Sequence, residues 1–320
     1  MRAVVYSAYG GVERLRLAEV AQPTPGPGEV LIRVRATSLN SWDWDLLRGK
    51  PFLARLGGLL RPRHPILGAD VAGVVEAVGP GSRLAPGDAV FGDLSGANWG
   101  GFAEFVAAPE TALAKIPEGV SFETAAATPQ AGLLAWQGLG WKGEVRPGDQ
   151  VLVNGGGGGA GTFAIQLAKR VGAVVTGVDR AEKLELMQAM GADRVIDYRV
   201  EDFAAGSARY DLIIDMVASR PLAQCRRVLT STGRLAVVGG TTPTILAVAS
   251  IGAMRSKPDG QQLGLVLHRP DVGQLTELGA LIAAGEVTPA IDRVYPLAQT
   301  AEAFRRLGAG EALGKLVVVP

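Results

Sequence analysis

The sequence is poor in the residues that hold small or metal-bound proteins together. Of 320 residues one is cysteine, Cys225, and two are histidine. A single thiol excludes an intramolecular disulfide and any zinc site built on several thiolates. Net charge is also scarce: Lys+Arg 32 against Asp+Glu 31 leaves +1, too little to hold a nucleic acid backbone by counterion release. The longest weakly polar stretch, Thr241 to Met254, is interrupted by Pro243 and Gly252 and falls short of the ~20 residues that cross a bilayer. The opening MRAVVYSAYG carries no long apolar h-region. Together with the lone cysteine, this sets the expectation of a reducing, cytoplasmic setting with no nucleic acid and no membrane as partner.

What is abundant is glycine, 44 residues, with 19 prolines beside it. The glycines punctuate apolar runs, so they read as turns rather than as low-complexity sequence. At roughly 150 residues per domain the length suggests two domains. Up to about Val120 the texture is short β-rich runs cut by turns: AVVY, EVLIRVRA, ADVAGVVEAVG, DAVFGD and GFAEFVAA. From Ser121 onward helical and strand-like segments alternate. QVLVNG, VVTGVDR, RVIDY, YDLIIDMVA and RLAVVGG read as strands with helices between them, a rhythm that implies a parallel, doubly wound sheet. After Gly240, TPTILAVASIGAM fits helix or loop and LGLVLHR fits a strand.

The strongest chemical signal is VLVNGGGGGAGTFAIQLAK. Gly156, Gly158 and Gly161 satisfy GxGxxG between a strand and a helix, where glycine allows the tight turn, the close approach of a pyrophosphate and helix–strand packing. Gly159 and Ala160 complete the helix start, whose free N–H groups attract phosphate. Asp179 ends the next strand, in the position of a carboxylate that binds an adenosine ribose, which favours NAD(H). Arg180 and Lys183 follow, two cations able to neutralise a 2′-phosphate. On charge alone both cofactors stay open.

PTPGPGEVLIRVRATSLNSWDWDLLRG, PILGADVAGVVEAVG, PGDAVFG, GGFAEFVA, the glycine cradle with IQLAK, GADRVIDY and GKLVVV span essentially the whole chain. In combination they resemble the zinc-independent, quinone oxidoreductase-like branch of the medium-chain dehydrogenase/reductase superfamily. The resemblance implies an α/β protein with a Rossmann domain over 122–267. A β-rich GroES-like catalytic domain is expected over 1–121, completed by 268–320, with substrate in the cleft between the domains. Zinc alcohol dehydrogenases of the superfamily would place a cysteine where this chain has Asn40 and a His-Glu pair at Ala69 and Asp70, so no zinc is expected. By the same resemblance Asn40 lies beside the nicotinamide, and Lys183 and Tyr198 contact the 2′-phosphate. These matches favour NADPH, with NADH kept open by Asp179.

Further site residues are expected on this pattern. Asn40 and Ser41 would orient the acceptor oxygen, and Trp44 would form an aromatic wall; the competing readings are a turn residue for Asn40, a helix cap for Asp43 and core packing for Trp42 or Trp44. Val238, Gly239 and Gly240 would meet the nicotinamide through backbone groups, and Lys315 would lie near the cofactor or pair with a carboxylate. His64 and His268 read as structural or surface residues. FLARLGGLLR, before His64, fits a flap over substrate, a lipid-facing helix or ordinary packing. Without a metal to polarise an alcohol, hydride delivery from NADPH to a quinone or activated alkene is the expected reaction. A metal-free alcohol or aldehyde dehydrogenase using NAD(H) and a non-catalytic NADPH sensor are the alternatives. A homodimer is expected through the edge strand near 263–268.

Overall fold

The computed structural model describes all residues except 56–57, 253–255 and 257–259. In chain order, β1 (Arg2–Val5) pairs with β2 (Arg16–Glu19) as a small ribbon. There follow β3 (Glu29–Ser38), α1 (Ser41–Arg48), β4 (Asp70–Val78), β5 (Ala89–Asp93), β6 (Phe105–Pro109) and β7 (Leu113–Lys115). Two helices come next, α2 (Phe122–Ala126) and α3 (Pro129–Leu139). The alternating part contains β8 (Gln150–Asn154), α4 (Gly159–Val171), β9 (Val174–Asp179), β10 (Arg194–Asp197), β11 (Tyr210–Asp215), β12 (Leu229–Val237) and β13 (Gln262–Leu265). The chain ends with helix Val272–Ala283, β14 (Ile291–Pro296), helix Thr300–Gly308 and β15 (Lys315–Val319).

These elements form two compact units, Met1–Leu133 with Arg269–Pro320, and Leu134–His268. The division falls within α3, later than the expected change at 121. The reason is local: Asp70, at the start of β4, accepts a hydrogen bond from the backbone N–H of Gln130 at 2.9 Å, which ties the first turn of α3 to the β-rich unit.

In that unit β14, β15, β3, β4, β5 and β7 lie in order, and β6 shares an edge of β3. β3 is therefore paired with β4 along most of its length, with β6 near its start and with β15 at Thr37 and Ser38. Two register shifts against β4 bend it, as bulges do in strongly curved sheets. Branched side chains, Val30, Ile32, Val34, Val71, Val75, Val90 and Val106, fill the interior. They suit a pleated surface buried on both sides.

The second unit is a six-stranded parallel sheet in the order β10-β9-β8-β11-β12-β13. This is the doubly wound arrangement read from the sequence, and its order reverses between β8 and β11, where such sheets open a crevice at their carboxyl ends. α4 buries Phe163, Ala164, Ile165, Leu167 and Ala168. It stops at Gly172, whose φ of 89° lets its N–H reach Ala168 and Lys169 carbonyls. The ambiguous stretch after Gly240 is a helix, Thr242–Ala247, followed by a wider turn over Val248–Gly252; its last residues, Ala253 and Met254, lie outside the described residues. Of the possible flap, Phe52–Arg55 is a short 3-10 turn, and Leu56 and Gly57 also lie outside them.

Candidate active site

In the β-rich unit the chain leaves β3 at Ser38 and enters α1 with Asn40 as N-cap, in extended conformation (φ −123°, ψ 159°). Asp43, fully buried, accepts from the Asn40 backbone N–H at 2.8 Å and from the Gly68 N–H at 2.9 Å. It is the helix cap that was one of its two readings. Burial pushes its carboxyl up to about 7; the two N–H bonds oppose that rise, and the nearby Asp70 adds to it.

Asn40 does more than cap. Its Nδ2 donates to Asp70 Oδ2 at 2.9 Å and its Oδ1 accepts from Lys315 Nζ at 2.6 Å. An ammonium only donates and a carboxylate only accepts, so these partners dictate which way the amide faces. Asp70 is fully buried and its Oδ2 also accepts from the Ser38 hydroxyl at 2.6 Å and from Lys315 at 3.2 Å. Lys315 gives its remaining proton to the Leu39 carbonyl at 3.0 Å. At 2% exposure, it is directed into the unit, and the carboxylate half of its expected role is the one the geometry provides.

The aromatic residues divide differently from the expectation. Trp44 packs against Phe304 (centroids 6.3 Å apart) and under the Arg48 guanidinium at 4.7 Å, and a Cβ on Gly308 would lie 2.4 Å from its ring. It is partly buried and packs against the core cluster that holds Phe304. Trp42 is 44% exposed and stands edge-on to Trp99 at 6.0 Å. Ser41 is exposed at the first position of α1. His64 lies 6.1 Å from Trp99, and partial burial lowers its pKa from the usual imidazole value.

In the other unit the cradle runs from β8 into α4. A Cβ on Gly161 would lie 2.2 Å from the Gly155 carbonyl oxygen, so glycine there is required by packing, while one on Gly156 would meet Met187 Sδ at 2.6 Å and displace that side chain. A Cβ on Gly158 would find only the Gly155 oxygen, at 3.4 Å. Gly158 is thus the position where the protein itself has room and an approaching ligand would not. The first N–H groups of α4, at Gly159 to Gly161, lack intrahelical acceptors and can meet a phosphate.

At the end of β9, Asp179 accepts from Gly157 N–H at 3.0 Å and from Arg180 N–H at 2.9 Å. Lys183 Nζ stands 3.9 Å from the same carboxylate, so its charge is partly offset. The enclosed Nε of Arg180 has no hydrogen-bond acceptor. Tyr198, 49% exposed, follows the β10 residue paired with Asp179 and donates its N–H to the Asp179 carbonyl. The structure therefore gathers Asp179, Arg180, Lys183 and Tyr198 at one strand end. Across the sheet reversal, Asn154 Nδ2 donates to Asp215 Oδ1 at 2.7 Å, and the Val238 N–H donates to the Asp215 carbonyl. Gly239 and Gly240 follow β12, Gly240 with a φ of 146°.

Two residues of the β-rich centre were not singled out from the sequence as site residues. Asp70 was read only as a zinc ligand that is absent. Gln130 has a backbone N–H held by Asp70 and an enclosed side-chain Nε2 with no acceptor. The available signal was its position as an isolated amide in the apolar AAATPQAGLLAW.

Comparison with known proteins agrees with this geometry. Residues 26–118 match the alcohol dehydrogenase GroES-like domain family, and residues 190–318 the zinc-binding dehydrogenase family. A chloroplast envelope quinone oxidoreductase homolog of Arabidopsis thaliana is 33% identical, covering 100% of this chain and 98% of its own length. An NADPH-dependent alkenal/one oxidoreductase of the same plant is 35% identical over 100% of this chain and 80% of its own. Among solved structures, the quinone oxidoreductase from Coxiella burnetii superposes with a TM-score of 0.91 at 30% identity, covering 100% of this chain and 99% of that one. The Escherichia coli quinone oxidoreductase complexed with NADPH gives 0.85 at 25% identity, with both chains fully covered. The fold and its two centres define an oxidoreductase enzyme of the dehydrogenase type. The chain belongs to the medium-chain dehydrogenase/reductase superfamily, among the quinone oxidoreductases.

Two outcomes follow from these contacts. Gly158→Val is expected to fold and to lose saturable NADPH binding in a fluorescence titration, with a smaller drop in melting temperature than Gly161→Ala, whose Cβ would lie 2.2 Å from a backbone oxygen; NADPH binding retained in Gly158→Val would remove the cradle from the site. For Asp43, the folded-state pKa near 7 lies above the ~3.9 of an unfolded aspartate. Its contribution to stability is therefore full below about pH 4 and lost as pH rises through about 7. The melting temperature of wild type relative to Asp43→Asn should fall between about pH 4 and 7 and level off above, and a gap independent of pH would contradict the raised carboxyl pKa.

Proposed function

We propose that the chain is an NADPH-dependent reductase that transfers hydride to a quinone or an activated alkene without zinc. The observation that carries the cofactor part is the strand end of β9, where Arg180 and Lys183 stand beside an aspartate already bound by Gly157, Arg180 and Lys183. An aspartate so compensated repels a 2′-phosphate less than a free one would, and the enclosed Arg180 Nε, whose nearest carboxylate, Glu182, is 3.7 Å away, makes no hydrogen bond and could donate one to a phosphate oxygen. Gly156, Gly158, Gly159, Ala160 and Gly161 would hold the pyrophosphate, and Val238 to Gly240 the nicotinamide end.

NADPH, when bound, supplies the hydride from C4 of its ring. The protein's part is to hold the acceptor and shield it from water. Asn40, its amide set by Asp70 and Lys315, keeps one N–H for a bound oxygen, and Ser41 offers a hydroxyl. Hydride transfer of this kind depends mainly on proximity and the exclusion of bulk water. The reading without zinc rests on donor chemistry: Asn40 and Ala69 are not zinc-binding side chains, and the Asp70 oxygens already accept four hydrogen bonds. Among the described residues no three of His, Cys, Asp and Glu are grouped as metal ligands.

The reading includes a cytoplasmic enzyme, on the strength of its single buried cysteine, and a homodimer in which β13, the last strand of its sheet, pairs with its copy. Among the described residues no helix is long and apolar enough to cross a membrane.

A second reading, a metal-free alcohol dehydrogenase using NAD(H), is favoured by Asp179 itself and by a structural neighbour described as an NAD-dependent alcohol dehydrogenase, 31% identical with a TM-score of 0.84. Steady-state assays separate the two. Quinones and enones with NADPH should turn over, and short alcohols with NAD+ should not. Lys183→Ala should weaken NADPH binding roughly 10- to 100-fold and leave NADH nearly unchanged. Equal losses would leave Lys183 without a phosphate to bind, and tight NADPH binding with no turnover of any acceptor would favour a sensor.

A further inference from the structure

We propose that Phe52, Leu59 and Leu60, with the cations Lys50, Arg61 and Arg63 around them, dock the protein on the surface of an anionic lipid bilayer, a property independent of the reductase reading above. From Leu46 to Ala69 the chain carries five cations, Arg48, Lys50, Arg55, Arg61 and Arg63, and neither aspartate nor glutamate. The whole chain is only +1, so the remainder is net negative and positive charge is concentrated here. The acids that bound the segment are engaged elsewhere: Asp45 pairs with Arg48 at 2.9 Å, and Asp70 is buried with Lys315. Lys50, Arg61 and Arg63 are exposed, and among the described residues none of the three is in an ion pair. Between them stand Phe52, 64% exposed, Leu59, 58%, and Leu60, 91%. A single exposed leucine is ordinary. Three large apolar side chains turned to solvent within nine residues, bracketed by cations, mark an interaction surface.

The base from which these side chains project is fixed within the β-rich unit. Tyr9 donates its hydroxyl to the Gly58 carbonyl at 2.6 Å. The Arg55 guanidinium lies over the Tyr9 ring at 4.7 Å, and its Nε donates to the Gly49 carbonyl at 3.0 Å. Further along, Tyr6 donates its N–H to the Pro65 carbonyl, and His64 stands beside Trp99. Leu59 and Leu60 directly follow the held Gly58, and Phe52 begins the turn that ends at Arg55. Charge and shape then select the occupant. A second copy meeting this face about a two-fold axis would set these cations against the same cations. An acidic protein would need a shaped recess for each projecting side chain. The headgroup region of a bilayer accepts apolar tips of any outline and attracts the cations beside them. The expectation of no membrane partner rests on the lack of a spanning stretch, which a segment that lies on the membrane does not need.

The test uses the full-length protein and vesicles of phosphatidylcholine, alone or mixed with an equal amount of phosphatidylglycerol, with bound protein measured by flotation. Wild type should float with the anionic vesicles and not with the neutral ones, and raised salt should release it. Arg61→Gln/Arg63→Gln should bind about 25-fold more weakly, about fivefold for each cation. Leu59→Ser/Leu60→Ser should lose about tenfold or more. Both variants should melt at the wild-type temperature, since the altered side chains are exposed. No flotation of wild type with anionic vesicles, equal flotation with neutral ones, or a leucine variant that binds anionic vesicles as tightly as wild type would each overturn the proposal. A lipid-free oligomer that dissociates in Leu59→Ser/Leu60→Ser, read by light scattering, would give the face to a second copy. Polyglutamate bound more tightly than the anionic vesicles would give it to an acidic protein, and either result also overturns the assignment.

Discussion

The β-rich unit is organised around one buried charge, the carboxylate of Asp70. Taking it and the Lys315 ammonium out of water costs several kcal/mol per ion. Their mutual contact at 3.2 Å and the bonds from Ser38, Asn40 and Gln130 offset that cost. Removing one partner of such a pair is expensive, about 3–5 kcal/mol, because the other charge stays buried. The consequence is geometric: β3, β4, β15, the start of α1 and the start of α3 all meet at one side chain, which holds the Asn40 side-chain amide and the Gln130 backbone N–H. An apolar residue at position 70 could fill the space but could neither orient the Asn40 amide nor tie down the first turn of α3.

The parallel-sheet unit relies on absent side chains instead of charge. Gly161 is glycine because backbone atoms lie where a Cβ would be, and a Cβ on Gly156 would press on Met187. Gly158 is glycine where the protein leaves space. The glycines of GGGGGAG are thus of two kinds, one closed in by the protein's own atoms and one left with open space beside it. Asp179, bound on two sides by backbone N–H groups, has already lost part of its capacity to repel a phosphate.

Much of the doubly wound unit was legible in the sequence, since its period and its strand–glycine–helix junction are local signals. The match of GADRVIDY and GKLVVV to the superfamily likewise marked where Tyr198 and Lys315 fall. What could not be read locally was direction. Lys315 comes within reach of Asn40 only because β15 pairs with the end of β3, and Trp44 turns inward only because helix Thr300–Gly308 offers Phe304 and a glycine to its ring. Gln130 escaped notice for the same reason. A lone amide in an apolar helix is unremarkable until the fold brings Asp70 to its backbone and leaves its side chain without an acceptor. The late division between the units follows from that same contact.

The most direct test of the whole account is a single-turnover experiment on chelator-treated protein, in which bound NADPH is mixed with 9,10-phenanthrenequinone and its fluorescence is followed. Rapid oxidation that saturates with quinone, at a rate untouched by the chelator, is the predicted result. Saturable NADPH binding without oxidation, or oxidation abolished by chelation, would contradict hydride transfer directed by these side chains alone.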